Sequence, residues 1–113
     1  MEVFYNVTLT VDPKIENEWR NFMLEVHLPD VVRQPGFKSV TMQKVELLPP
    51  AAAPTTADRP SYVMSYTVES REALEAYLNS AEAIRLREEH KKRYSQYTTA
   101  TRAVWAPVRT LKP

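Results

Sequence analysis

No cysteine occurs anywhere in the 113 residues, which excludes disulfides, thiolate catalysis and cysteine-ligated metals. Two histidines leave little for an all-histidine metal site, and no metal or other cofactor is expected. Glycine appears once, at Gly36, so glycine-rich phosphate loops are ruled out and nine prolines punctuate the chain instead. Basic and acidic side chains nearly cancel, 15 against 14. That balance provides no global field to steer nucleic acid or a membrane surface, and neither partner is expected. No apolar run approaches the roughly 20 residues of a membrane span, and no basic-then-apolar leader opens the sequence. A cytoplasmic address is the expectation. What is present is ordinary: 43% apolar and 26% charged residues, with length for a single domain over residues 1–113 and one core.

The first strand organises the rest. Val3, Tyr5, Val7, Leu9 and Val11 fall on one face at period two, as a strand meeting a core does. The opposite face, Phe4, Asn6, Thr8 and Thr10, is β-prone and only partly apolar, which suits burial at a second interface. A strand with two usable faces belongs in the middle of a sheet. Asp12-Pro13 then marks a helix start, an N-cap followed by proline at the first helical position. Ile15, Trp19, Phe22, Met23 and Val26 form its apolar stripe over about 14–28, and Pro29 is expected to end the regular helix, with one further turn over 30–33.

Residues 37–47 alternate poorly and carry Lys38 and Lys44, as a bulged edge strand does. The Pro/Ala-rich stretch 48–60 has no period and reads as a flexible solvated loop. Residues 61–68 give the second clean strand, with Tyr62, Met64, Tyr66 and Val68 on one side. Ser70 caps a helix with face Leu74, Tyr77, Leu78 and Ala81. That phase slips near Asn79-Ser80, which predicts a kink or two consecutive helices. Ala83, Ile84, Arg87, His90 and Tyr94 run down the second piece, and 97–108 is the last strand. The order is that of an α+β, ferredoxin-like βαββαβ fold, an antiparallel sheet with helices on one face and strands one and three central. Such a one-layer cover leaves the other sheet face open, so a homodimer is expected.

Tyr5-Asn6-Val7, Glu25 to Asp30 (Glu-Val-His-Leu-Pro-Asp) and Ser70 to Leu74 (Ser-Arg-Glu-Ala-Leu) carry a resemblance over nearly the whole chain. It resembles a small bacterial family of domains of unknown function. The resemblance implies the dimeric α/β-barrel group, in which two sheets pack face to face, and it implies no activity. The group includes small cofactor-free and haem-degrading monooxygenases with pockets between sheet and helices. Haem-degrading members use an Asn, a Trp and a His; here Asn6 matches, Tyr77 replaces the Trp, and Arg87 falls on the His position. Arginine is no haem ligand, and haem chemistry is not expected.

The binding candidates are Asn6, His27, Tyr66 and Tyr77. Asn6 needs partners for its amide on a central strand, from a ligand, a loop or the partner chain. His27 lies at the border of the first helix's stripe, as a capping or dimer-contact residue or as a proton carrier near neutral pH. The tyrosines either line a cavity for an aromatic ligand or are plain core. The basic run from Arg85 to Arg93 reads as a solvated helical face, with His90 on it. The function is therefore unassigned: a homodimeric domain with a small-molecule pocket, a cofactor-free monooxygenase or isomerase on a small aromatic substrate, or an interaction domain without a pocket.

Overall fold

Asp12 and Pro13 act as their sequence predicts: the Asp12 carboxylate accepts the Lys14 N–H at 2.9 Å and opens a short turn, Pro13–Ile15. The structure, a computed structural model, describes residues 1–49 and 59–113. Strand β1 is Val3–Val11, followed after the turn by helix α1, Glu16–Phe22, and helix α2, Leu28–Val32. Strands β2 (Phe37–Lys44) and β3 (Ser61–Val68) follow, then helices α3 (Arg71–Leu78) and α4 (Ala81–Tyr94), then strand β4, Thr98–Trp105. Ser70 and Ser80 each cap a helix, through the N–H groups of Ala73 and Ala83. The slip in phase at Asn79-Ser80 is thus a break between two helices.

The antiparallel sheet has the order β2-β3-β1-β4. The two strands with clean alternation are central, and β2 is an edge whose register shifts between Phe37 and Ser39. Its lysines are tied down, Lys38 by Glu2 at 2.6 Å and Lys44 by Glu16 at 3.1 Å. These four strands and their helices are the ferredoxin-like α+β fold. The stretch 48–60 read as a flexible loop has residues 50–58 outside those described.

The first helix departs from expectation at Pro29. Helical turns continue through it, because the chain widens into a π turn over Met23–His27 before resuming as α2. The Leu28 N–H reaches back five residues to the Met23 carbonyl. Proline has no N–H to donate, so the extra residue in this turn gives its ring room without breaking the helix. The same extra residue shifts the phase. Val26, expected on the apolar stripe, is 41% exposed, while the helix buries Trp19, Phe22, Met23, Leu28 and Val31. His27 takes the inward place that Val26 loses.

Trp19, Met64, Leu74 and Leu86 are fully buried between sheet and helices. On α4 the buried positions are Ala83, Leu86 and Tyr94, and Ile84, expected inside, is half exposed. The outer sheet face has a different chemistry. The row Phe4, Asn6, Thr8 and Thr10 aligns with Trp105, Ala103, Thr101 and Thr99 on one side. Thr67, Ser65, Val63 and Ser61 align on the other, followed by β2 with Ser39, Thr41 and Gln43. None of these side chains is charged.

Candidate functional site

The helices do not close completely on the sheet. A cavity of about 310 Å³ remains between them, floored by Tyr5, Val7 and Tyr66 of the central strands and walled by Met23 and His27 from the π turn. Its far side is built by Tyr77 of α3 and by Arg87 and His90 of α4. The π turn sets the near wall: by rotating His27 inward it replaces what a regular helix would present there as Val26. Such turns interrupt helices at functional positions more often than elsewhere.

The floor is aromatic. Tyr5 and Tyr66 stack with ring centroids 5.5 Å apart, and Phe37 meets Tyr66 edge-on at 5.6 Å and Tyr77 at 4.9 Å. Burial pushes the Tyr66 phenol far above its ordinary range and that of Tyr77 up to about 12. Both phenols therefore keep their protons at neutral pH and are available as hydrogen-bond donors to a guest.

The two histidines of the sequence meet at this cavity, with ring centroids 5.7 Å apart. His90 is held from behind. The indole N–H of Trp19, itself fully buried, donates to His90 Nε2 at 3.0 Å. With Nε2 accepting, neutral His90 carries its proton on Nδ1. His27 has no such anchor: its Nδ1 is buried and has no hydrogen-bond partner among the described residues. Burial lowers the His27 pKa to about 4, with Asp30 pulling weakly the other way. His90 is lowered to about 4 as well, by burial and then by the neighbouring His27. Both imidazoles are neutral at pH 7, and His27, its Nδ1 buried and unpartnered among the described residues, lies against an aromatic cavity.

Of the residues singled out in the sequence, His27, Tyr66 and Tyr77 come together here. Asn6 does not. It sits on the outer face of the sheet, buried, with its amide Nδ2 lacking a partner. The reading of the Arg85–Arg93 segment as a solvated face needs correction, because His90 and Arg87 point to the cavity while Arg85, Lys92 and Arg93 stay exposed. Two signals were available. Ala83, Arg87, His90 and Tyr94 share the helical spacing of a buried stripe, and a buried Trp19 demands a partner for its indole N–H. Arg102 was not signalled, since β4 alternates too weakly to say which side chains face inward.

A family model described as a domain of unknown function (DUF4286) matches residues 2–108. No curated protein matches the sequence. Among solved structures, HapK from Hahella chejuensis is similar at 14% identity and TM-score 0.67, covering 100% of this chain and 98% of its own. A putative antibiotic biosynthesis monooxygenase from Deinococcus radiodurans is similar at 10% identity and TM-score 0.66, covering 98% and 97%. SnoaB from Streptomyces nogalater, a cofactor-independent oxygenase, gives 19% identity and TM-score 0.60 over 99% and 98%. At such identities the likeness is one of fold.

Proposed function

The chain belongs to the family of domains of unknown function (DUF4286), and from that premise we propose that its cavity binds a small planar aromatic molecule and offers it His27 as proton acceptor. The observation that carries this reading is the His27 imidazole, buried at the cavity with Nδ1 unpartnered. An unsatisfied buried nitrogen costs stability, and a site that uses it gives a reason to keep it. The cavity's size and aromatic floor favour a flat, largely apolar guest. Its chemistry needs no cofactor. A C–H bond beside a ligand carbonyl breaks, the proton goes to the His27 imidazole, and the electron pair stays on the ligand as an enolate. Return of a proton to the same carbon completes an exchange, and its delivery to the enolate oxygen or to a conjugated carbon completes a tautomerisation. The cofactor-independent oxygenase among the similar folds supports cofactor-free chemistry as compatible with this scaffold.

Four methionines make the binding claim easy to test. Met23 and Met64 line the cavity, whereas Met1 is 92% exposed. Titration with the fused-ring aromatic ketone β-tetralone should shift the Met23 and Met64 methyl resonances saturably and leave Met1 unmoved. An unchanged spectrum at millimolar ketone would remove the binding reading. In deuterated water the protein should speed deuterium uptake into the ketone, and His27→Gln should slow this by about 10²-fold while binding persists. Equal uptake with the variant would strip His27 of its role.

The functional unit is proposed to be a homodimer joined through the outer sheet face. That face carries no charge among its described rows, and it holds Trp105, 64% exposed, and the unpartnered Asn6 amide. The face is uncharged and rich in Ser and Thr with Phe4 and Trp105 at one end, and a second copy would cover it with roughly 800 Å² per chain, the usual scale. Light scattering at micromolar concentration should give twice the 13.1 kDa chain mass, and Thr8→Glu should give the monomer. A monomeric wild-type chain would refute the assembly.

A further inference from the structure

The rim of the cavity is one-signed. Arg87 and Lys91 of α4 and Arg102 of β4 line it, and no carboxylate does among the described residues. Arg102 is exposed, on the edge strand β4. It pairs with Val7 across the sheet, so it stands on the row that faces the helices, where the neighbouring strands place apolar and aromatic side chains. Its guanidinium has no ion pair or hydrogen bond among the described residues. Arg87, half-buried, has only the Leu78 carbonyl, at 3.2 Å. By contrast Lys91 lies 3.8 Å from Glu88, and Arg85 is paired with Glu82.

The two guanidinium groups come from different elements and converge. They share a second, contiguous recess with Tyr5. Both also bear on the Tyr77 hydroxyl, each favouring its ionised form against the stronger effect of burial. The carboxylate that acts on the same hydroxyl, Glu82, is held by Arg85 on the outside of α4. Two like charges thus line one recess beside Tyr5, and no carboxylate is among its lining residues. That arrangement is repulsive when empty and attractive when an anion enters.

We propose that the ligand of this cavity is an aromatic acid, its flat ring on Tyr5 and Tyr66 and its carboxylate received between Arg87 and Arg102. The inference rests on the reading that the cavity binds a planar molecule, and it adds the charge of that molecule. Guanidinium groups suit this task, since their planar fork matches the two oxygens of a carboxylate.

Naphthalene carboxylate and naphthalene carboxamide have nearly the same shape and differ in charge. Calorimetric titration of the wild-type protein at neutral pH should show the carboxylate binding at least about tenfold tighter, the worth of one charge-assisted contact. In Arg87→Gln and Arg102→Gln that preference should shrink toward unity while carboxamide binding stays within about twofold. Circular dichroism of each variant reports whether it folds, and Arg102→Lys should keep part of the preference. A second readout is the His27 ring: its pKa should rise when the carboxylate binds and stay put with the carboxamide. Equal affinity for the two compounds, or a preference that survives both glutamine variants, would overturn the inference and leave the cavity as a site for neutral aromatics. Binding of neither would overturn the cavity reading itself, and this inference with it.

Discussion

At the scale of single residues, Trp19 explains more of the site than any candidate visible in advance. It is fully buried, and its indole N–H has His90 as its partner. Truncating His90 orphans that donor inside the core, so His90→Ala should cost about 1–3 kcal/mol in urea unfolding, well above the roughly 0.5 kcal/mol of a surface change. His90→Gln, which can still accept, should recover much of it. A loss no larger than that of a surface substitution would show that water satisfies Trp19 instead. His27 was legible in the sequence as a border histidine and open between capping and chemistry. What decided its position was one residue of helical phase, which no apolar pattern records. Arg87 and His90 were visible at the spacing of a buried stripe but hidden by the charges around them, because long side chains can present a charge at a cavity while their stems pack.

At the scale of elements, the sequence was most readable where one rule acted alone. β1 and β3 alternate cleanly because each buries one face against helices, and both are central. The serine caps at 70 and 80 resolved into two helices for the same reason: a hydroxyl at the N-cap satisfies a free N–H. Pro29 misled because its usual effect, ending a helix, was offset by a π turn. Gly36, the single glycine, sits between α2 and β2 at φ +86°, and its carbonyl accepts the Glu69 N–H at 2.8 Å. A Cβ there would lie 2.6 Å from the Ala73 Cβ on α3. Gly36→Ala combines a left-handed backbone with that clash and should cost about 2 kcal/mol or more. A melting temperature unchanged from wild type would mean that the turn is free to rearrange.

At the scale of the whole molecule, the two histidines link folding to pH. In the unfolded chain each titrates near its ordinary value, about 6.5, whereas in the fold each is lowered to about 4. The folded values are depressed, so their favourable effect is complete above about pH 6.5 and is lost as the pH falls toward 4. A shift of that size corresponds to roughly 3 kcal/mol per histidine, less where water reaches the rings. The urea midpoint should drop clearly between about pH 7 and pH 5, and His27→Gln should flatten part of that slope. A midpoint that holds across this window would contradict the burial assigned to both rings.

The most direct test is a nitrogen-detected NMR titration of the two imidazole rings in the wild-type protein, assigned with His27→Gln. His27 should remain neutral at pH 7 and down to about pH 5, titrating near 4. The His90 proton should sit on Nδ1, with Nε2 accepting from Trp19. A His27 that titrates near about 6.5, as a solvated imidazole does, would mean an open, wet surface in place of the cavity, and no buried proton acceptor for a ligand to meet.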